Sequence, residues 1–500
     1  MFGLRPAAAA ESSVLELGCG DGGNLLSLAQ ALPGARFVGI DAAGTAVERG
    51  NRLAREGGLG NVELLCMDLE ELPEGDQLGV AEGAGLGVAG GGFDYVLSHG
   101  VYSWIPPRVR VALLAGVRRH LAPMGVAYVS YNAYPGSYLR DMARDVLGYH
   151  VRDISDPERK LRAAQELMQT IVAIEEPSPY AQVLREHMGR MLRYTDALLF
   201  HDDLAEISTP FYFHEFVEHA EQHRLAFLSE ANLFESQMRE VPDSAERLMA
   251  GLPNDVVVRE QYLDFFKNRM FRQTLLCHAD APICRELDDT QVEGFAVYSA
   301  ARGGEQDGVF ETPEGYTMTS SEPLVLAAMG ALQEAWPRAL SFGELLERGV
   351  AAMEGAAVDE LAEGEVAEDE VPHELVRARL RVVLLEAYLA QIVMLQGCAP
   401  PLVNRAGERP RASPLARAQG AAGLPAVSSL LHANVRLEGE LEQRVLALLD
   451  GERDRAGVLR ELGAGGDAAE GEVSREKVSR EELEAVLERF AGVGLLAADG

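Results

Sequence analysis

The sequence predicts an α/β fold for the first part of the chain, in which helices cover both faces of a mainly parallel β-sheet. Residues 14–131 alternate short apolar strands with helices, as βαβ units do. A run of closely spaced glycines, within VLELGCGDGG (14–23), follows the first strand. Acidic residues end successive strands, at the sheet edge where such folds bind their ligands.

The elements of this region follow from short apolar runs and from helical periodicity. In chain order, the pattern predicts strand 14–17, helix 24–32, strand 36–40, helix 42–56, strand 62–67, strand 93–97, helix 108–121 and strand 126–131. The segment GDQLGVAEGAGLGVAGGG (75–92) is too rich in glycine to order itself and is predicted to be a surface insertion.

Two later segments are expected to complete the sheet. FHEFVEHAEQHRLAFLSEANL (213–233) reads as an amphipathic helix followed by a sixth strand at 225–229. MFRQTLLCH (270–278) has the alternation of a strand, which we place as an antiparallel seventh strand beside the sixth. Residues 138–210 would then be a helical insertion after the fifth strand.

The C-terminal part is predicted to be mainly helical and winged-helix-like. GVFETPEGYTMTSSE followed by PLVLAAMGALQEAW resembles the strand pair and helix of a winged-helix unit. The acidic stretch DELAEGEVAEDEVPHE (359–374) is typical of a solvated loop, and RPRASPLARAQGAAGL (409–424) of a linker. The expected domains are 1–284, with the insertion at about 138–210 and a further segment at about 195–280, then 285–405 and 406–500.

Charge and cysteine content restrict the expected partners and compartment. A formal net charge of −33 argues against nucleic acid, because phosphates would be repelled. A winged helix here is therefore expected to contact protein, and a lysine-bearing protein surface would be tolerated well. Five scattered cysteines indicate free thiols in a reducing compartment. With no signal-peptide core and no stretch long enough to cross a bilayer, we expect a cytoplasmic protein without membrane insertion.

No metal site is predicted. The string HEFVEH resembles a zinc-protease motif, but its histidines, His214 and His219, are five residues apart and fall on different faces of a helix. Cys277, His278 and Cys284 offer too few ligands for a structural zinc site.

The glycine-rich turn and the acids beside it predict a nucleoside pocket. Gly18, Gly20 and Gly22 would let the backbone turn sharply and approach a ligand. Asp41, about 20 residues further on at the end of the second strand, suits ribose hydroxyls. Glu16 would crowd a phosphate, which disfavours a dinucleotide. A cationic ligand without phosphate fits better, and S-adenosyl-L-methionine, with its ammonium and sulfonium, is such a ligand.

These segments resemble the class I S-adenosylmethionine-dependent methyltransferases, which have a Rossmann-like sheet. VLELGCGDG is similar to their first motif, FVGID to their acidic second motif, and LLCMDLEEL to the segment whose acid contacts adenine. The resemblance implies a methionine side at the glycine turn, ribose at Asp41 and adenine at Asp68 and Leu69. The implied cofactor-binding residues are Glu16, Gly18, Cys19, Gly20, Gly22, Asn24, Asp41, Ala42, Asp68, Leu69 and Ser98.

Longer motifs resemble a narrower bacterial group, the methyltransferases with a regulatory domain, which include rickettsial protein-lysine methyltransferases. The motifs are YNAYPG, REQYLDFFKNRMFRQTLLCH, FETPEGYTMTSSEP, ASPLARAQ and LLDGERDRAGVL. The resemblance implies methyl transfer to protein lysines. Related chains carry a further N-terminal segment ahead of FGLRP. If that segment helps to close the site, we expect either that this chain lacks part of a pocket lid or that its start codon is misassigned.

The acceptor side is expected on two loops, LSHGVYSWIP after the fourth strand and YNAYPG after the fifth. Aromatic side chains would wall a lysine channel, Asn132 would orient the amine and His99 would accept its proton. The candidate catalytic residues are His99, Tyr102, Trp104, Tyr131, Asn132 and Tyr134. Two alternatives stay open: a small-molecule methyltransferase, and a catalytically silent cofactor-binding protein. A homodimer is also compatible with the sequence.

Overall fold

The computed structural model describes residues 2–73, 91–175, 177–238, 241–304, 308–362, 373–464 and 478–498. The described chain divides into two compact units. One unit contains residues 2–68 and 282–498, and the other contains 69–73 and 91–281. Most of the predicted glycine-rich insertion (75–92) and of the predicted acidic loop (359–374) lies outside the described residues.

Seven strands form the main sheet, in the order β3-β2-β1-β4-β5-β7-β6. Strand β7 runs antiparallel to both β5 and β6, whereas β1, β2 and β3 are parallel. The predicted α/β fold class is confirmed, and so are the sixth and seventh strands. The strands are β1 (Ser13–Leu17), β2 (Arg36–Asp41), β3 (Val62–Cys66), β4 (Phe93–Ser98), β5 (Leu121–Asn132), β6 (Leu225–Glu230) and β7 (Phe271–His278).

Helices connect these strands where the apolar periodicity predicted them. Helices α1 (Gly23–Ala31) and α2 (Gly44–Glu56) link the first three strands, and α3 (Pro107–His120) links β4 to β5. Apolar side chains of β1 and β2, such as Leu15, Leu17 and Phe37, are fully buried, which anchors the loops at the carboxyl ends of these strands.

Between β5 and β6 the chain forms helices with a core of their own. Asp156 and Ser178 cap the starts of two of them by accepting hydrogen bonds from backbone N–H groups. Leu147, Met168 and Met188 are buried in this core. The helices from here to β7 are α4 (Ser137–Val151), α5 (Pro157–Val172), α6 (Pro179–Met191), α7 (Asp196–Leu198), α8 (Phe213–Gln222), α9 (Asp243–Ala250) and α10 (Val256–Lys267).

A buried ion cluster joins β6, β7 and α10. The Arg272 guanidinium is fully buried, and it donates to Glu230 at 2.6 Å, Glu260 at 3.0 Å and Asp264 at 2.8 Å. Its Cζ also lies 3.8 Å from the centroid of the Phe213 ring. Burial raises the pKa of Asp264 to about 6, although Arg272 opposes this shift. The cluster ties together the last two strands and the helix that precedes β7.

The C-terminal part contains short strands, longer helices and two separate hydrophobic cores. Its strands are β8 (Ala296–Tyr298), β9 (Arg302–Gly304), β10 (Val309–Glu311), β11 (Thr317–Thr319), β12 (Leu340–Ser341), β13 (Met394–Gln396), β14 (Arg411–Ala412), β15 (Ala426–Ser428), β16 (Asn434–Arg436) and β17 (Leu496–Ala497). Its helices are α11 (Pro323–Ala335), α12 (Phe342–Ala362), α13 (His373–Leu389), α14 (Pro414–Ala421), α15 (Glu440–Leu448), α16 (Arg455–Ala464) and α17 (Arg480–Gly492).

The prediction of a linker at 409–424 is wrong. This segment forms β14 and α14, and Leu415 and Ala416 are fully buried. Ser413 caps the helix by accepting a hydrogen bond from the backbone N–H of Ala416 at 3.0 Å. The alanines and glycines that suggested flexibility instead permit close packing, because a side chain added at Gly420 would lie against Leu446.

No helix within the described ranges is long and apolar enough to cross a membrane.

Candidate functional site

The turn after β1 has the backbone conformation that the glycine spacing predicts. Gly18, Gly20 and Gly22 have φ values of 81°, 57° and 73°, in the left-handed region that favours glycine. The N–H of Gly18 donates to the Ile40 carbonyl at 2.8 Å, which ties the turn to β2. A Cβ placed on Gly20 would meet no atom within 4 Å, so a ligand could approach the backbone there.

Asp41 organises the same edge of the sheet from the end of β2. Its Oδ2 accepts a hydrogen bond from the Gly20 N–H at 2.8 Å, and its Oδ1 accepts one from the Ala43 N–H at 2.8 Å. A carboxylate has about four acceptor sites, so Asp41 retains capacity for ribose hydroxyls. The Asp41 carbonyl also accepts a hydrogen bond from the Met67 N–H at 3.0 Å, which brings the start of the Asp68 segment beside β2.

Glu16 is a buried acid with an incomplete set of partners. The residue is 3% exposed; the Asn24 amide donates to its Oε1 at 2.9 Å, and its Oε2 has no hydrogen-bond partner among the described residues. Burial raises the pKa of Glu16 to about 7, while the Asn24 hydrogen bond lowers it and the Asp41 charge raises it further. A cationic group beside Oε2 would supply the missing partner.

The other predicted cofactor residues have differing environments. Burial raises the pKa of the Cys19 thiol, which keeps it neutral. Ala42 and Asp68 are exposed and Leu69 is buried. Ser98 is fully buried at the end of β4, and its hydroxyl has no partner in the part of the chain that the structure describes.

His99 follows β4 and is hydrogen-bonded through one ring nitrogen. Its Nδ1 lies 3.0 Å from the Tyr128 hydroxyl and 3.1 Å from the Ser130 hydroxyl. Burial lowers the pKa of His99, so the ring is neutral near pH 7. In the tautomer in which Nδ1 donates, Nε2 is available to accept a proton.

The structure contradicts the predicted role of Tyr102 and Tyr131 as walls of an open channel. They are 0% and 1% exposed. The Tyr102 hydroxyl is hydrogen-bonded to His219, and the Tyr131 hydroxyl lies 3.3 Å from Thr274, which donates to Glu230 of the Arg272 cluster. The Tyr131 ring stacks on Phe216 with a centroid distance of 4.2 Å. Both tyrosines are core residues, because their rings pack among other aromatics.

Trp104, Asn132 and Tyr134 remain candidates for the acceptor side. The guanidinium of Arg144 lies over the Trp104 ring, 5.5 Å from its centroid. The Asn132 backbone N–H donates to the Ser103 hydroxyl at 2.9 Å. Tyr134 stacks on Tyr138 with a centroid distance of 4.0 Å.

A cavity of about 720 Å³ lies beside Tyr134 and the insertion helices. Its wall combines tyrosines with charged groups of both signs, and the acids are Asp141, Asp145, Asp203 and Glu206. Asp203 is 2% exposed and paired with Arg140 at 2.8 Å. No sequence motif predicts this cavity, because most of its acids lie on helices whose packing has no local signature. Among the described residues, no group of histidines, cysteines and acids could hold a metal ion.

His432 contacts the glycine-turn region, although no sequence motif points to it. In the turn between β15 and β16, its Nε2 lies 2.8 Å from the Asn24 Oδ1 and its Nδ1 lies 2.9 Å from the Ser27 hydroxyl. A lone histidine in a polar turn carries no signal, and only the fold brings it to α1.

Three family models match the chain. They are described as "Methyltransferase domain" at 14–125, "Predicted methyltransferase regulatory domain" at 195–278, and "PKMT, C-terminal winged helix domain" at 408–495. RP028 of Rickettsia prowazekii (strain Madrid E), named as an uncharacterized protein, is 32% identical over 224 residues, which cover 44% of this chain and 84% of RP028. This chain belongs to the class I S-adenosylmethionine-dependent methyltransferases that carry a regulatory domain.

A second curated relative and two solved structures are also similar to this chain. RP789 of the same organism, likewise named as uncharacterized, is 33% identical over 299 residues, 59% of this chain and 51% of RP789. The chain thus spans about half the length of that relative. Two structures of PKMT2 from Rickettsia typhi, one in complex with AdoHcy, match with a TM-score of 0.79 and 25% identity, over 99% of this chain and 96% of theirs. The C-terminal part of the chain therefore includes a winged-helix domain.

Proposed function

We propose that this chain transfers methyl groups from S-adenosylmethionine to lysine side chains of a protein substrate. The observation that carries the proposal is Glu16, a buried acid with one unpartnered oxygen at the glycine turn. Such a group favours a cationic ligand over a phosphate. Similarity to PKMT2 over nearly the whole chain supports the protein substrate, and the AdoHcy complex of that protein supports the cofactor.

The cofactor's ammonium would lie beside Glu16, its ribose beside Asp41 and its adenine beside Asp68 and Leu69. The open space at Gly20 supports a ligand lying directly on the backbone. The bound group supplies a methyl carbon that already carries a cationic leaving group. The chain's own contribution is positioning, which can lower a barrier by about 7–11 kcal/mol.

The lysine acceptor must lose a proton, since its reference pKa is about 10.4. His99 supports this step because burial keeps its imidazole neutral. Trp104, Asn132 and Tyr134 would orient the acceptor, and Ser98 would line the boundary between cofactor and acceptor. The acids that line the Tyr134 cavity would attract basic groups that lie near a lysine on the surface of a protein substrate.

The proposed domain division is 1–284, 285–405 and 406–500. The family-model ranges and the two separate C-terminal hydrophobic cores support it. None of the five cysteines, all of which lie within the described residues, forms a disulfide, which supports a reducing, cytoplasmic location.

The test combines cofactor binding with methyl transfer. Calorimetry would measure AdoHcy binding, and labelled S-adenosylmethionine would be incubated with the chain and a bacterial lysate, followed by mass spectrometry. We expect label on protein lysines. Asp41→Asn should weaken AdoHcy binding about tenfold or more, because a charged acceptor is lost, whereas Glu56→Gln, an exposed acid on α2, should bind normally.

Each outcome separates the candidate functions. Label in small molecules alone would favour the small-molecule methyltransferase. AdoHcy binding without transfer to any lysate component would favour a silent binding protein. Failure of the wild-type chain to bind AdoHcy would remove the enzymatic proposal.

A further inference from the structure

The turn between β15 and β16 holds His432 in a defined position against α1. The His432 N–H donates to the Ser429 carbonyl at 3.1 Å, and the Ser429 N–H donates to the Ala433 carbonyl at 2.9 Å. His432 has a φ of 60°, so the tight turn itself sets the direction of its side chain. Both ring nitrogens then find partners on α1, at Ser27 and Asn24.

The direction of these hydrogen bonds follows from the groups involved. The Asn24 amide nitrogen donates to Glu16, so its Oδ1 must accept, and the Nε2 of His432 must be the donor. Burial lowers the pKa of His432, which favours the neutral ring near pH 7. In that state Nδ1 accepts the hydrogen of the Ser27 hydroxyl. One continuous chain of donors therefore leads from His432 through Asn24 to Glu16.

We propose that His432, supplied by the C-terminal winged-helix domain, is a positioning residue of the cofactor site that orients the Asn24 amide toward Glu16. This inference rests on the proposed function and gives the winged-helix domain a role in it. Without His432 the Asn24 side chain gains rotational freedom, so the hydrogen bond from its amide to the Glu16 Oε1 is formed for a smaller fraction of the time. Asn24 is the partner that lowers the pKa of Glu16, so its loss would favour the neutral carboxyl.

A second contact fixes the same domain beside the glycine-turn region. A Cβ built on Gly57, at the end of α2, would lie 3.3 Å from the Cα of Leu415 in α14. Leu415 is fully buried. The His432 turn is thus not a freely moving hairpin, because α14 of the same domain packs against the helix that follows Asp41.

The test uses two substitutions at His432, of which only one places a donor at the position of Nε2. In His432→Gln, the amide can reach the position of Nε2 and still donate to Asn24. In His432→Asn, the shorter side chain cannot, although asparagine tolerates the left-handed backbone well. We expect calorimetry on the full chain to show AdoHcy binding weakened about 3- to 10-fold by His432→Asn, as for one lost hydrogen bond, and nearly unchanged by His432→Gln.

Kinetics and a double-mutant cycle distinguish positioning from a general loss of structure. His432→Asn should raise the KM for S-adenosylmethionine with little change in kcat or Tm. In an Asn24→Ala background the same substitution should have no further effect, since His432 acts through Asn24. Asn434→Ser, an exposed substitution in the neighbouring strand, should leave binding unchanged.

Two results would overturn the inference about His432: wild-type affinity in His432→Asn, or additive losses when it is combined with Asn24→Ala. A wild-type chain that binds no AdoHcy would instead refute the proposed function.

Discussion

The chemistry of Glu16 depends strongly on its surroundings. As a free side chain it would ionise near pH 4.3, but burial raises its pKa to about 7. The folded protein without ligand therefore holds Glu16 partly protonated at neutral pH. A cation beside Oε2 would favour the ionised form, so cofactor binding and loss of this proton are linked.

This linkage gives a pH-dependent prediction. A raised carboxyl pKa means that the ionised, binding-competent form increases as the pH rises through about 7. AdoHcy binding should therefore be about tenfold weaker at pH 6 than on the plateau above pH 8. Calorimetry across this range measures the effect. Glu16→Gln should bind more weakly and remove most of the slope, and a wild-type affinity independent of pH would contradict the role of Glu16.

The same linkage affects stability in the absence of ligand. Because the folded-state pKa of Glu16 lies above its unfolded value, its contribution to the free energy of unfolding is fully present below about pH 4.5 and is lost as the pH rises toward 7. Glu16→Gln should consequently stabilise the ligand-free chain at pH 8, and urea unfolding at pH 5 and pH 8 would show whether the gain is confined to the higher pH.

One buried side chain of β7, Arg272, joins this strand to β6 and α10. Arg272 meets three carboxylates from β6 and α10, and no water-exposed surface remains on its guanidinium. Removing the cation would leave three buried acids with only Arg269, which pairs with Asp264 and Glu230, to compensate them, and this is more costly than the net contribution of the intact cluster.

We therefore expect Arg272→Met to lower the free energy of unfolding by about 3–5 kcal/mol. Arg247→Met, on an exposed position of α9, should change it by less than about 0.5 kcal/mol. Urea denaturation measures both variants. An Arg272→Met chain as stable as its control would show that the cluster is replaceable by apolar packing.

The composition of α14 explains why the sequence predicts a linker there. Ser413-Pro414 is a typical helix start, but alanine and glycine are equally common in flexible segments. Burial of Ala416 depends on helices α15 and α17, which lie further along the sequence, and Leu415 lies against Gly57 at the end of α2. Composition alone could not separate the two readings.

For the whole molecule, the formal charge of −33 favours basic partners and repels phosphates. The wall of the cavity beside Tyr134, near the predicted acceptor loops, carries four acids and three basic side chains, so its own net charge is small. If a lysine-bearing protein is the substrate, its association should be electrostatically steered, while binding of the small cofactor should not.

We expect kcat/KM for a lysine-rich protein substrate to fall several-fold between about 50 mM and 300 mM salt, with a Debye length shrinking from about 14 Å to 6 Å. AdoHcy affinity should change much less. Asp145→Asn with Glu206→Gln should raise the KM for the protein substrate, whereas Glu158→Gln, exposed on α5, should not. Methylation rates independent of salt would contradict steering.

Local signals in the sequence were sufficient to predict the order of strands and helices, the glycine turn and the position of Asp41 at the end of the second strand. Apolar periodicity and turn residues act over a few positions, so they are readable without knowing the rest of the fold. The hydrogen bond from Gly20 to Asp41 shows that the glycine turn and the end of β2 lie together, whereas the ligand roles of these residues stay a prediction.

Other features arise from residues that are remote in sequence. Tyr131 was predicted to line a channel, yet it packs on Phe216 and bonds to Thr274. Arg272 gathers three acids from two elements, β6 and α10, and His432 meets Asn24 across a separation of 408 residues. Burial and hydrogen bonding at such positions depend on long-range packing, which no short segment encodes, so the folded arrangement was required to identify them.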